Sequence, residues 1–229
     1  MVRRLRRGLC AADTRSRVRY APRMTNQSVS IETELDRRSQ ILECTCSVIA
    51  RDGAEGLRMA AVAREAGVSS ALLHYYFATR EDLIRLAFEY HETRESARGE
   101  ERIAAIQDPL ERVRDVLFRE LSDDEVVREG WVLWSEMSRT AIFRDDFRAS
   151  VADRSARWVG LVANLIGAAQ EAGRIPPSID AVSAALRLTS MVDGIGSHVI
   201  VGSVSRAEAR RTLAIAMNEM LHLDEQDRA

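Results

Sequence analysis

From about residue 35 onward, hydrophobic positions recur every three or four residues and show no sustained alternation. The pattern therefore predicts helices throughout. The first runs from Leu35 to about Arg51, with Ile41, Leu42, Thr45, Val48 and Ile49 on its inner face, and Asp52-Gly53 ends it. A short second helix covers Met59 to Ala66, apolar at Met59, Val62, Ala63 and Ala66. Gly67 closes it, because glycine enters the left-handed region at little cost. Ser69 offers a side-chain oxygen to cap a third helix, Ser70 to Phe77, whose inner side is Leu73, Tyr76 and Phe77. Thr79 caps the fourth, with Asp82 completing a capping box in place of Glu. That helix carries Leu83, Ile84, Ala87, Phe88 and His91, and the polar run Thr93 to Arg102 predicts an exposed end or a bend.

Asp108-Pro109 opens a fifth helix to about Leu121, with Asp as cap and Pro at the first position. Val113, Val116, Leu117 and Glu120 share one flank of it. Asp123-Asp124-Glu125 favours the start of a sixth by its charge against the helix dipole. A seventh spans about Asp146 to Ala172, closed by Gly173, and Pro176-Pro177 make the sharpest break in the chain. Two more follow, about Ile179 to Val201 and Arg206 to Leu223, the last opened by a Ser205/Glu208 capping box. The expected fold is all-α with about nine helices. A three-helix helix-turn-helix domain takes residues 35–82 and a helical effector-binding and dimerisation domain takes 83–223. The tails are 1–34 and 224–229.

A helix, a glycine-closed turn and a short second helix make the grammar of a helix-turn-helix, whose second helix enters the DNA major groove. Here that grammar comes with Val62-Ala63, Ala66-Gly67-Val68-Ser69, Tyr76-Phe77 and Arg80-Glu81-Asp82-Leu83. Over about residues 36–92 the chain resembles the DNA-binding domain of the TetR family of bacterial repressors. It departs from that family at Ala71, where glycine is usual, and at Arg80, where lysine is usual; Arg80 can grip a phosphate with two donors rather than one. The resemblance implies a recognition surface of Arg58, Ser69, Ser70, Ala71, Leu72, His74, Tyr75, Tyr76 and Arg80, with Tyr75, Tyr76 and Arg80 on phosphates. Leu72 and the small residues suit thymine methyl groups, and His74 suits a guanine acceptor. The competing reading is a helix pair buried in an ordinary core, where two adjacent tyrosines and a histidine would have no packing need.

Trp131, Trp134, Met137 and Ser138 recur at helical spacing on the sixth helix, and Phe118, Phe143, Phe147 and Trp158 lie on predicted neighbours. Pockets for small molecules are mostly apolar with a few polar anchors, for which Glu136, Asp193 and His198 are candidates. An aromatic stripe of this kind also serves as plain core. The resemblance, rather than the spacing, implies a pocket between the fourth and eighth helices. It also implies that the last two helices pair with their twofold copies, which suits a palindromic double-stranded operator. On the eighth helix Ala184, Leu188, Val192, Ile195 and Val199 form a stripe beside Gly194, Gly196 and Gly202; the ninth carries Leu213, Met217, Met220 and Leu221. The other reading is that both helices cover the core of a monomer.

Composition changes this picture little. The net charge is −2, yet residues 1–23 hold eight Arg and one Asp, so +7 there leaves −9 for the rest. Every basic residue is Arg. The segment 1–23 admits three readings: a basic arm adding non-specific DNA affinity, a targeting segment, or a leader upstream of a start at Met24. The ordinary polar tail after Met24 favours the third. Arg37 and Arg38 suit either a phosphate or plain solvation. Three cysteines make no disulfide framework, which fits a reducing cytoplasm. Cys44 and Cys46 have no Cys or His at metal spacing, so neither a metal nor a cofactor is expected. His91 and His222 read as surface residues. No apolar run reaches the roughly 18 residues of a membrane span. There is no Gly-rich phosphate loop, HExxH or Gly-x-Ser-x-Gly.

The expectation is a DNA-binding transcriptional regulator rather than an enzyme: a dimeric repressor that leaves its operator when a small apolar molecule binds. Two rivals stand beside it. One is a regulator governed by a partner protein. The other is a helical enzyme, which requires Glu136, Asp193 and His198 to converge.

Overall fold

The computed structural model describes residues 26–223, with side chains from Leu35 onward, and all regular structure in it is helical. Among the described residues nine helices follow one another: α1 (Asn26–Gly56), α2 (Met59–Glu65), α3 (Ser70–Tyr76), α4 (Arg80–Ala105), α5 (Pro109–Arg119), α6 (Glu125–Ala141), α7 (Asp145–Glu171), α8 (Ala181–Ile200) and α9 (Arg206–Met220). Residues 26–35, the described part of the first of two units, are helical. Asp36 onward forms the second unit. The basic segment 1–23, the alternative start at Met24 and the tail 224–229 lie outside the described residues.

Six of the described helices start at side-chain caps, whereas α2 and α7 have none. Ser69, Thr79, Asp108, Asp124, Asp180 and Ser205 each accept from a backbone N–H of the first turn they cap. Ser205 and Glu208 form the full reciprocal box. Thr79 accepts from the Asp82 N–H at 3.0 Å, and its hydroxyl donates to the Asp82 carboxylate at 2.8 Å, so Asp82 receives the cap's hydroxyl rather than its backbone N–H.

One expectation is refined and one is corrected. Gly53 does break the first helical run, at φ 75° and ψ 159°, a conformation open to glycine and strained for other residues, and helix resumes beyond that kink as far as Gly56. The polar run Thr93–Arg102 neither bends nor frays α4, which continues to Ala105. Its charges are paired across the fold, with Arg94 on Glu43 and Arg102 Nε 2.7 Å from an Asp115 carboxylate oxygen, and polarity alone does not break a helix.

Two hydrophobic clusters fill this unit. One joins α1–α4 to α6 and the start of α7, with Ile41, Leu73, Phe77, Phe88, Met137 and Phe147 buried. The other joins α5–α9 around Leu117, Trp131, Ile166, Leu188 and Leu213. Truncating any of these large side chains to Ala costs about 2–5 kcal/mol. Part of the eighth-helix stripe expected at a dimer interface faces inward: Ala184, Leu188 and Val192 are fully buried in this chain's own core and Ile195 and Val199 are half-buried, while Leu213 and Met217 on α9 and Leu221 just after it are fully buried. No described helix is long and apolar enough to cross a membrane.

Candidate functional site

The turn between α2 and α3 is built by Gly67 at φ +65°. The Val68 N–H donates to the Ala63 carbonyl at 2.9 Å and the Gly67 N–H to the Arg64 carbonyl at 3.2 Å, the pair of bonds that closes a helix around a left-handed residue. The chain then enters α3 with Ser69 as cap, its hydroxyl 3.1 Å from the Leu72 N–H. Leu73 and Phe77 point fully inward, and Arg38 of α1 lies over the Phe77 ring at 5.5 Å. The opposite side of α3 presents Ser70, Ala71, His74 and Tyr75 to solvent, with Leu72 and Tyr76 half-buried. Tyr75 is 72% exposed and meets Tyr76 edge-on at 5.3 Å. Arg58 is exposed at the start of α2.

Arg80 is placed differently from the other members of this surface. Its Nε donates to the Leu57 carbonyl at 2.9 Å, one terminal nitrogen donates to the Ala54 carbonyl, and the other faces Glu81 at 3.3 Å. The guanidinium thus latches α4 to the turn between α1 and α2. Arg37 donates to Gln40 at 2.9 Å.

A cavity of about 540 Å³ opens between α4, α5, α6 and α7. Of the residues expected to line a pocket, Trp131, Trp134 and Trp158 are in its wall. The Trp131 Nε1–H donates to the Glu120 carbonyl at 2.8 Å. Its six-membered ring lies against Gly196 of α8, where a Cβ would stand 2.1 Å from Cζ2. Trp134 stacks on Phe88 on one side, centroids 6.4 Å apart, and carries the Arg154 guanidinium at 4.3 Å. Arg154 in turn pairs with Glu92 at 3.1 Å. The other basic wall residues have carboxylates of their own: Arg102 on Asp115, Arg119 on Asp124 and Arg157 on Asp153. The Glu120 side chain makes no hydrogen bond or ion pair to a described residue. Burial raises its pKa above the ordinary value, with Arg154 opposing. Burial raises Asp193 too, again opposed by Arg154.

The remaining expected pocket residues are elsewhere. Met137 and Phe147 are packed into the core beneath α1–α4. Phe118 lies under the Arg210 guanidinium at 5.0 Å, and Phe143 is 80% exposed. The Ser138 hydroxyl is buried without a partner. His198 is exposed, with Nδ1 3.0 Å from the Ser203 hydroxyl, while Glu136 pairs with Arg139. Glu136, Asp193 and His198 share no partner and none lines the cavity. The wall instead draws on His91, Glu92, Glu95 and Glu120, of which His91 and Glu120 were on apolar flanks in the sequence pattern.

His91 corrects a further expectation. It is 3% exposed rather than a surface residue, since it continues the α4 stripe of Leu83, Ala87 and Phe88. Burial lowers its pKa and favours the neutral ring, whose Nδ1 has no partner. The ligating atoms of Cys46, His91 and Glu129 all lie within 4.8 Å of one another. No metal spacing was visible along the sequence because three different helices supply them.

An exposed second helix on a three-helix helix-turn-helix frame, followed by a helical layer with a ligand-sized cavity, defines a DNA-binding regulator of the helix-turn-helix class. The family model for bacterial regulatory proteins of the tetR family matches residues 41–87, and that for the C-terminal part of BetI-type transcriptional repressors matches residues 109–222. This chain belongs to the TetR family of transcriptional regulators. The HTH-type transcriptional regulator PksA of Bacillus subtilis is 31% identical over 171 residues, covering 73% of this chain and 80% of that protein. BetI of Burkholderia ambifaria is 28% identical over 114 residues, or 47% of this chain, and the match spans only 58% of that protein. Among solved structures, a TetR-family regulator from Rhodococcus sp. superposes with a TM-score of 0.72 at 31% identity, covering 82% of this chain and 99% of that one. A regulator from Saccharomonospora viridis, solved in complex with choline, gives 0.72 at 26% identity, covering 78% and 94%.

Proposed function

We propose that this regulator acts in the cytoplasm as a homodimeric repressor on a palindromic operator, and that a small organic cation entering the α4–α7 cavity releases it. The observation carrying the cationic specificity is the wall itself: three indoles in a lining that also holds a carboxyl, Glu120, with no partner among the described residues. An indole face attracts a cation through its quadrupole, and a desolvated carboxylate fixes its position. The wall already holds one cation in this way, Arg154 between Trp134 and Glu92. The choline bound by the Saccharomonospora relative supports the same chemical class.

The DNA contacts on this reading come from Arg58, Ser70, Ala71, Leu72, His74 and Tyr75, with Tyr75 and Tyr76 on phosphates. Ser69 acts mainly as the cap that sets the helix. Arg80 orients the frame, and it reaches a phosphate only by giving up a carbonyl. Dimerisation uses the outward faces of α8 and α9, where Val182, Leu186, Val201 and Ile215 are exposed.

The test is calorimetric titration of choline into the full-length protein, followed by anisotropy on the DNA upstream of its own gene. Saturable binding that weakens in Glu120→Gln and lowers operator affinity supports the reading. Choline binding of equal strength to wild type and Glu120→Gln, or none to either, refutes the assignment of the cavity.

A further inference from the structure

Cys46, His91 and Glu129 meet at the edge of the cavity, whose lining includes only His91 of the three. We propose that these three side chains form a site for a borderline-soft divalent cation, zinc foremost, that ties α1 to α4 and α6. The three ligating atoms lie within 4.8 Å of one another. Donors around a tetrahedral zinc are roughly 3.3–3.8 Å apart, given bonds of about 2.0–2.3 Å, so a contraction of about 1 Å closes the site.

Four features distinguish this trio from a chance surface cluster. Cys46 is 2% and His91 3% exposed, and Glu129 is half-buried. The His91 Nδ1 has no partner although it is buried, and an orphaned nitrogen in that position is costly. The α6 backbone passes the imidazole at Gly130, where a Cβ would be only 3.0 Å from Nε2, so the ring is closely fitted beside its neighbour Glu129. Finally, a thiolate, a neutral imidazole and a carboxylate carry two negative charges, which a dication neutralises. Arg94, the nearby cation, is already paired with Glu43.

The donor set selects the ion. Sulfur with imidazole suits zinc and its neighbours in the first transition row, while calcium and magnesium require oxygen. Three protein ligands leave a fourth position for water. In the metal-free protein the Cys46 thiol donates to the Ala87 carbonyl at 3.3 Å. On binding, that S–H bond breaks, its proton passes to solvent, and the sulfur electron pair forms the metal–sulfur bond.

The experiment titrates cobalt(II) into full-length, chelator-treated protein and follows the thiolate-to-cobalt charge-transfer band and the visible bands of a four-coordinate ion. Zinc is then added as competitor. One equivalent should produce both signatures and zinc should erase them. Cys44→Ala should leave them intact, and Cys46→Ala should abolish the charge-transfer band with helicity retained. His91→Gln and Glu129→Gln should each weaken affinity by about tenfold or more, and they carry the test should Cys46→Ala fail to fold. Zinc should raise the wild-type melting temperature and leave the variants unmoved. No thiolate band in the wild type, or the same band in folded Cys46→Ala, overturns the site.

Discussion

Gly196→Ala sets two opposite effects on the same helix against each other. Alanine improves an α-helix interior by about 1 kcal/mol over glycine. At position 196, however, a Cβ would meet three atoms of the Trp131 indole at 2.1, 2.3 and 2.8 Å. An ordinary carbon contact begins near 3.5 Å, so the ring must retreat by about 1.4 Å. It is held on its other side by the 2.8 Å hydrogen bond to the Glu120 carbonyl, which a shift of that size breaks. Overpacking costs about 1–3 kcal/mol and the lost bond about 1 more. The net is a loss of roughly 2 kcal/mol after the helix gain, or about 4–8 °C in melting temperature for a chain of this length. Gly167→Ala is the control, since a Cβ there meets nothing within 4 Å and α7 should gain up to about 1 kcal/mol. Thermal denaturation of both variants, with tryptophan emission as second probe, decides the matter. If Gly196→Ala is stabilised as much as Gly167→Ala, Trp131 is not wedged against α8 and the description of the cavity wall is wrong.

The two halves of the DNA surface should separate by substitution. Tyr75→Ala should lower operator affinity about tenfold with melting unchanged, because the side chain is 72% exposed; unchanged affinity removes Tyr75 from the interface. Arg80→Ala should instead lower stability by about 1–3 kcal/mol, because the Ala54 and Leu57 carbonyls lose their donor; a stable variant with weak DNA binding would show that Arg80 serves phosphate instead. Burial raises the Glu120 carboxyl above its ordinary 4.5, so the folded state binds that proton more tightly than the unfolded chain. The stability this confers is fully present below pH 4.5 and is lost as pH rises through the folded value. Glu120→Gln should therefore exceed wild-type stability near pH 8, with the difference narrowing toward about pH 4 in chemical denaturation; a gap that widens toward acid reverses the assigned shift. Arg154→Met, which removes the chain's own cation from Trp134 and Glu92, should weaken operator binding and blunt any choline response; wild-type behaviour in both assays detaches the cavity from DNA release.

Local signals carried the sequence reading far. Caps at Ser69, Thr79, Asp108 and Ser205, and the glycine turn at Gly67, act within four residues, so their chemistry is written in adjacent letters. The cavity was legible only in part because its wall comes from four helices. Three indoles stood out by size, but Glu95 is legible only when α4 is known to continue beyond residue 93. Glu120 shared a flank with Val113, Val116 and Leu117, and a carboxyl on an apolar stripe was the overlooked clue. His91 gave the same kind of warning on the stripe of Ala87 and Phe88. The α8 stripe was legible only in part, for the opposite reason. The most apolar side of a helix goes first to its own core, here at Ala184, Leu188 and Val192, while Val182 and Leu186 form a sparser exposed set.

Helix α4 gives the two sites a common mechanical element. Arg80, in its first turn, grips the carbonyls that shape the α1–α2 turn, and so fixes the frame that presents α3. Glu92 lies twelve residues on, about 18 Å along an unbroken helix at 1.5 Å per residue. There the same helix is clamped to α7 by the Arg154 ion pair and, through Phe88, stacked on Trp134. On the proposed reading, an organic cation at the indoles would compete with Arg154 for the Trp134 face. Releasing that clamp would free the cavity end of a helix whose other end is latched to the DNA-binding frame. A ligand shifts such an equilibrium only by its differential affinity for the two arrangements, and a displaced Arg154 contact would supply that difference. Coupling by this route would need no deformation within the helix-turn-helix, because Leu73 and Phe77 keep α3 packed.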